Sequence, residues 1–390
     1  MTRVLHIITG LGRGGAEQQL LDLIRHMSGL VDNEVAVLSR PGPVAVALRE
    51  HGVPVHAVGM RGNRDLSALP RLARLIRAGG YDVVHTHLYR ACVFGRIAAR
   101  IAGVRTIIAT EHSLGHGHIE GRSTTAAVRM LYTATERLGT TTVAVSPTVA
   151  ERLRGWGVPP DRVTVIPNGI DAEAFAFHAE RRARVRARLG LDPNAFVFGA
   201  VGRLVPTKRF DLLIQAFAHL DDGLLLIVGD GPQRAALHRL ADSSGVAART
   251  MFAGESGDVP DVLSAIDVLA APSEQETFGL SVIEGLAAGL PVLYTACPAL
   301  DDLPPGMVPA QARHVPTGLV AWRAALTRCL LQSPTRWPPP EAVQHYDIRV
   351  HAKTLAELYE SHRHRPAKGA RAAWPAVAPR QYERAEHAGL

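Results

Sequence analysis

The chain has 390 residues, 47% of them hydrophobic, 20% charged and 5% aromatic. That is a globular composition with room for two domains, and it excludes a disulfide mini-scaffold, a collagen-like chain and a mostly disordered protein. Basic residues number 43 against 36 acidic ones, a charge of +7 too dilute over so large a surface to require nucleic acid as a partner. Three of the basic residues are lysines (Lys208, Lys353 and Lys368), which marks each of them for attention. Cys92, Cys297 and Cys329 lie far apart and form no CxxC, so neither a disulfide framework nor a Cys-based zinc site is indicated, and a reducing cytoplasm suits them. The opening residues are too broken an apolar run for a signal peptide, and aliphatic runs such as 224–228 are too short to span a bilayer.

Residues 4–8 form a short β-branched run that ends in the loop Gly10-Leu11-Gly12-Arg13-Gly14-Gly15. A helical pattern follows, with Leu20, Ile24 and Met27 on one face. Strand-like runs recur at 35–38, 53–58, 83–85, 106–109 and 142–145, separated by amphipathic stretches of helix length. Near-continuous apolar strands alternating with helices predict a parallel sheet covered on both faces. The alternation breaks at 163–171, where Pro167, Asn168 and Gly169 are turn chemistry. A basic helical stretch at 181–189 leads into a second series at 196–201, 224–228, 250–252, 268–270 and 291–293. The expected fold class is α/β: two Rossmann-like doubly wound parallel-sheet domains, 1–170 and 171–338, facing each other across a cleft. After a proline-rich stretch at 335–340, the segment 339–362 carries a last helical pattern. The remainder, 363–390, has no apolar period and reads as a disordered basic tail.

Ligands of open parallel sheets bind beyond the carboxyl ends of the strands, and the chemistry-bearing residues of this chain fall on those loops. The loop at Gly10–Gly15 fits G-x-G-x-x-G, where glycines let a backbone approach a phosphate at a helix start; a plain tight turn fits it equally. Its second strand ends Leu38-Ser39-Arg40, so an NADP-dependent oxidoreductase stays open, with Arg40 toward a 2′-phosphate. The loop at 201–210 sets Arg203 and Lys208 five residues apart, either a fork and a point charge suited to a diphosphate leaving group or two solvated cations on a surface turn. Gly229 and Gly231 turn the chain after another strand, either to approach a nucleotide or simply to turn. Glu276 lies in a polar loop, and Glu284 lies in the second turn of an otherwise apolar helix, either buried where ribose hydroxyls would satisfy it or exposed on the helix's one polar edge. His85, His87 and His112 fall at strand ends, and a metal at His112, His116 and His118 matches no standard zinc spacing. Arg71, Arg74 and Arg77 on one helix and Arg90, Arg96 and Arg100 on another form basic faces, solvated or set against an anionic membrane.

Glu276-x7-Glu284 within ETFGLSVIEGLAAGLP, together with GRLVPTKRFDLLIQAF, VGDGPQ, VIPNGID and GGAE, resembles the retaining glycosyltransferases of family 4, which have the GT-B fold. The resemblance covers nearly all of 1–295. It implies transfer of a sugar from a nucleotide diphosphate (UDP- or GDP-sugar) to an acceptor hydroxyl with retention, in surface polysaccharide, glycolipid or natural-product biosynthesis, with no cofactor or metal. It implies that Arg203 and Lys208 bind the donor diphosphate, Glu276 the donor sugar and Glu284 the ribose. His112 is then beside the reacting carbon, with Gly14 and Gly15 near the diphosphate or the acceptor. Gly229, Gly231, Phe278 and Gly279 complete the expected donor side, and His87 and Arg90 the acceptor side. The protein is expected in the cytoplasm, possible at the inner face of the membrane, with the last helix crossing back to the first domain. The chain departs from the family after Leu293, where a glycine-rich turn and an acid give way to Tyr294-Thr-Ala-Cys297-Pro. A non-catalytic sugar-nucleotide-binding protein of the same fold is the remaining alternative, and the set Arg203, Lys208 and Glu276 argues against it.

Overall fold

The computed structural model describes residues 1–120, 122–304, 306–332 and 335–363; apart from Arg363, the expected basic tail lies outside the described residues. Two parallel sheets organise the chain, as two alternating apolar series require. The first has seven strands in the order Val55–Ala57, Asp32–Arg40, Arg3–Gly10, Val83–His87, Thr106–Glu111, Thr141–Ala144 and Val163–Val165. The second has six, in the order Thr250–Gly254, Leu224–Val228, Val197–Val201, Val268–Ala271, Val292–Tyr294 and Ala312–His314. Helices cover both faces of each sheet, which is why Val83–His87 and Thr106–Glu111 are buried at every position. The strands Val163–Val165 and Ala312–His314 were not anticipated: the first lies in the stretch read as a turn, and each is only three residues, too short to show a period.

Both sheets reverse strand order at one point. In the first, Arg3–Gly10 lies between Asp32–Arg40 and Val83–His87; in the second, Val197–Val201 lies between Leu224–Val228 and Val268–Ala271. The crevices opened by these reversals are where ligands of doubly wound sheets bind. They hold the Gly10–Gly15 loop and His87 in one half, and the Arg203–Lys208 and Glu276 loops in the other.

The helical pattern expected over 341–362 is two helices, Glu341–His345 and Ile348–Arg363. The break exists because the chain pairs there with the other connection between the halves. Ile170 donates its N–H to Tyr346 O at 2.7 Å, and Ile348 donates to Ile170 O at 3.1 Å. Gly169 allows this closeness, since a Cβ on it would lie 2.5 Å from Ile348 Cα. The buried Gln19 side chain brackets the same glycine, donating to its carbonyl at 2.7 Å and accepting from its N–H at 3.1 Å. Beyond the crossing, Ala352, Leu355, Leu358 and Tyr359 pack with Val4, Val83, Ile108 and Val143 of the first sheet and with Leu23 and Met27 at the end of helix Gly15–His26.

Candidate functional site

Glycines that the sequence offered as nucleotide contacts first serve the loop beside them. A Cβ on Gly229 would lie 1.9 Å from Gly202 O, and one on Gly231 2.5 Å from Leu204 O. Leu204 N–H donates to Asp230 O at 2.9 Å, so the two turns are held back to back, with the exposed Arg203 beside that contact. Lys208 closes the 3₁₀ turn Pro206–Lys208 just before helix Phe210–Phe217. Its Nζ donates to Glu276 Oε1 at 2.5 Å, with the two side chains 22% and 15% exposed. Glu274 N–H donates to Thr207 O at 3.1 Å and binds the two loops together.

Helix Leu280–Ala287 begins at Gly279, whose φ of 100° is left-handed and whose added Cβ would meet Cys297 Sγ at 2.5 Å. Only glycine fits both the angle and the space. The Phe278 side chain is buried, edge-on to Tyr346 at 5.0 Å between ring centres. Apolar packing holds the ring in the core, so of this residue expected on the donor side the backbone is what is left to a ligand. Glu284 is half-buried on the helix, and its carboxyl is pushed up to about 7, first by burial and then by Asp22, against the pull of Lys208. Asp22 belongs to helix Gly15–His26 of the first domain. Gly15, at the start of that helix, lets it approach: a Cβ there would be 3.2 Å from Leu280 Cδ1. Glu17 in its first turn has its carboxyl raised by burial and lowered by the charge of Arg203. A Cβ on Gly14 would lie 2.2 Å from Glu17 Oε2, so Gly14 makes room for this acid. Lys208 and Glu276 thus meet directly, Glu284 feels the charges of Lys208 and of Asp22 from the first domain, and Glu17, beside Gly14 and Gly15, feels that of Arg203.

The first domain grips the Glu276 loop directly. Thr277 Oγ1 donates to His112 O at 2.7 Å, and Ser146 Oγ to Thr277 O at 2.8 Å. Arg152 Nη1 donates to Glu276 O at 3.1 Å and to Leu114 O at 2.9 Å. His116 N–H donates to Gln275 Oε1 at 3.0 Å. None of Asp22, Ser146, Arg152 and Thr277 was singled out from the sequence. Asp22 follows the glycine loop by two helical turns, a spacing that was available as a signal; the others show only once the domains are docked.

Strand register explains a group of buried histidines. His6 lies opposite His85 and Ile8 opposite His87, so His6, His85 and His87 share one sheet face. His6 Nδ1 lies 3.1 Å from His87 Nε2, and His87 Nδ1 3.2 Å from His112 Nε2. His87, expected on the acceptor side, is 2% exposed and both its ring nitrogens are taken. Arg90, half-buried, opens helix Tyr89–Ala102 three residues later. Burial holds His6 at about 4 and His112 at about 3, both well below the ordinary imidazole value. Nitrogens of His6, His85 and His87 lie within 4.8 Å of one another, and each ring is already hydrogen-bonded. His116 and His118 are exposed.

Arg96 is no part of a basic face. It is 1% exposed, donates from Nη2 to Thr142 Oγ1 at 3.1 Å and stacks over the Tyr132 ring at 4.9 Å. Arg74, Arg77 and Arg100 are exposed, the last donating to Leu138 O at 2.6 Å. At the end of the second strand, Arg40 O accepts from Leu11 N–H at 3.0 Å, and a Cβ on Gly42 would lie 2.5 Å from Leu11 O. These contacts tie the first glycine loop to the end of the second strand.

Residues 13–174 match the family described as Glycosyltransferase Family 4, and residues 181–303 the family Glycosyl transferases group 1. The chain is 31% identical over 240 residues to the UDP-Gal:alpha-D-GlcNAc-diphosphoundecaprenol alpha-1,3-galactosyltransferase of Escherichia coli, covering 60% of this chain and 62% of that one. It is 30% identical over 316 residues to the D-inositol 3-phosphate glycosyltransferase of Rhodococcus jostii, covering 73% of this chain and 67% of that one. In fold it is similar to HepE from Anabaena, solved in complex with UDP and glucose, with a TM-score of 0.79 and 22% identity over 93% of this chain and all of that chain.

Proposed function

The chain belongs to glycosyltransferase family 4 and has the GT-B fold, and from that premise we propose that it moves a sugar from a nucleotide-diphosphate donor to an acceptor hydroxyl with retention of configuration. The observation that carries this reading is the Lys208–Glu276 pair at the second sheet's strand reversal, facing the first domain's glycine loop. Arg203 and Lys208 neutralise the charge that grows on the leaving diphosphate. Glu276 orients the donor sugar and Glu284 takes the ribose hydroxyls. The acceptor oxygen attacks on the leaving-group face, and a phosphate oxygen of the departing nucleotide accepts its proton. Two cations supply the neutralisation, so the scheme calls for no metal or cofactor. Holding both substrates in one dry cleft supplies the rest of the acceleration.

The donor is a UDP- or GDP-sugar; that HepE was solved with UDP and glucose supports the first. The acceptor is a hydroxyl of a glycan, a lipid-linked sugar or a small molecule, in line with the diphosphoundecaprenol-linked and inositol 3-phosphate acceptors named for the relatives. Among the described residues no helix is long and apolar enough to cross a membrane. The exposed Arg74, Arg77 and Arg100 support peripheral contact with an anionic inner leaflet, and a cytoplasmic site of action follows. Vesicle flotation at low and high salt tests that contact, and no binding at low salt removes it.

A panel of nucleotide sugars tests the main reading. A ligand that binds only the folded chain raises its melting temperature. One UDP- or GDP-sugar is expected to do so, and to yield free nucleotide when an acceptor is supplied. No shift with any of them, and no nucleotide release, would sink the proposal.

A further inference from the structure

Three imidazoles and one amide stand in line behind the site. Asn33 Oδ1 lies 3.0 Å from His6 Nε2, His6 Nδ1 3.1 Å from His87 Nε2, and His87 Nδ1 3.2 Å from His112 Nε2. The sixth ring nitrogen, His112 Nδ1, is buried without a partner. Four neighbouring parallel strands build the line, with His112 just past the end of the fourth. Asn33 lies opposite Val4, two residues short of the partner of His6; His87 lies opposite Thr110, two residues short of His112. A period of two puts all four on one side of the sheet.

The direction of the line follows from its end. A neutral imidazole has one N–H and one lone pair. An amide oxygen only accepts, so His6 carries its hydrogen on Nε2 and accepts at Nδ1. His87 must then donate from Nε2 and accept at Nδ1, and His112 must donate from Nε2. Burial favours the neutral form of each ring, and neighbouring imidazoles push His87 the same way. His85 lies against His87 with ring centres 4.1 Å apart, but its nitrogens face hydroxyls, Tyr359 at 2.6 Å and Thr110 at 2.7 Å. A hydroxyl gives or takes a hydrogen bond, so His85 does not set the direction.

We propose that Asn33, His6 and His87 are positioning residues that hold His112 as the Nε2–H tautomer, leaving a bare lone pair on Nδ1 to accept a hydrogen bond from a hydroxyl of the donor sugar. The last clause rests on the function proposed above; the tautomer itself does not. Turning the Asn33 amide over would reverse every bond and put the hydrogen on His112 Nδ1. A half-buried amide three rings away thus decides whether the site offers an acceptor or a donor.

The test reads the ring nitrogens directly. The full chain is labelled with 15N-histidine, and long-range proton–nitrogen spectra are recorded near neutral pH. The His112 signals are assigned by their loss in His112→Gln. The expected result is a pyrrole-type Nε2 and a pyridine-type Nδ1 for His112, with the same pattern in His6 and His87. A protonated Nδ1, or averaged signals from two tautomers, in the unsubstituted chain overturns the relay. Asn33→Asp keeps an acceptor and is expected to keep the pattern; Asn33→Leu and His6→Phe are expected to average it. A His112 pattern unchanged in a folded His6→Phe or Asn33→Leu chain also overturns it. With a working donor, His6→Phe is expected to lower kcat about tenfold, with a smaller change in KM. If no sugar is transferred while the nitrogen pattern holds, the proposed function fails and the relay stands.

Discussion

Lys208 Nζ and Glu276 Oε1, separated by 68 residues in sequence, meet at 2.5 Å where the second sheet reverses its strand order. Both side chains keep some contact with solvent, so the pair adds little stability. Its value lies in placing a cation and an acid before a ligand arrives. Lys208→Ala and Glu276→Gln are each expected to lower kcat/KM by about 100-fold or more while the melting temperature stays nearly unchanged. Steady-state kinetics beside a thermal melt checks both; near-normal turnover in either variant counts against the assigned roles.

Glu284 gives the enzyme a pH dependence with a known sign. Burial first, then Asp22, pushes its carboxyl up to about 7. An acid raised on folding binds its proton more tightly in the folded chain. Its effect on stability is therefore most favourable below the unfolded value and is lost as pH rises through about 7. Nucleotide binding runs the other way, because ribose hydroxyls donate to the ionised carboxylate. Affinity for UDP is expected to rise about tenfold from about pH 6 to about pH 8. Glu284→Gln keeps an accepting oxygen without the titration and is expected to flatten that profile. Glu111, also pushed to about 7 by burial, is still present in the variant and separates the two contributions. Calorimetric titration across pH decides the matter.

Gly229→Ala tests the back-to-back turns. The new Cβ would fall 1.9 Å from Gly202 O, and the φ of 143° is already unfavourable for alanine. A loss of about 2–4 kcal/mol is expected in a denaturant melt, with weaker donor binding as Arg203 shifts. Gly155→Ala, with nothing within 4 Å of the new atom, is the control and is expected to change stability by less than about 0.5 kcal/mol.

Arg186 is a cation of the core. Its guanidinium donates to Asp267 Oδ2 at 2.9 Å and to the carbonyls of Ala265, Asp192, Pro193 and Ala195 at 2.7 to 3.0 Å. Arg186→Met leaves Asp267 and four carbonyls short of a donor, and is expected to lower stability by about 3–5 kcal/mol. A melt that moves by less than a quarter of that would show that water replaces the guanidinium.

The strands were legible because a buried parallel strand is an apolar run that a single sequence displays. The loops bearing Arg203, Lys208 and Glu276 were legible because glycines and charges stand out between such runs, and Glu284 because it is the one charge in an apolar helix. Arg186 was not, since its helix reads as a solvated basic stretch until Asp267 is folded against it. Nor was His6: a polar residue inside a strand shows neither its register against His85 nor its distance to His87. The domain contacts of Ser146, Arg152 and Thr277 depend on docking, which no local pattern encodes. The two short edge strands fall below the length at which a period exists.

Helix Ile348–Arg363 caps the first sheet, although it is made after the whole of the second. A nascent chain therefore cannot finish the half it began with until its far end leaves the ribosome. Until then Val4, Leu23, Met27 and Ile108 wait with one side uncovered. A transcript cut short between the sheets and this helix leaves an apolar face open on the first half and an easy substrate for quality-control proteases.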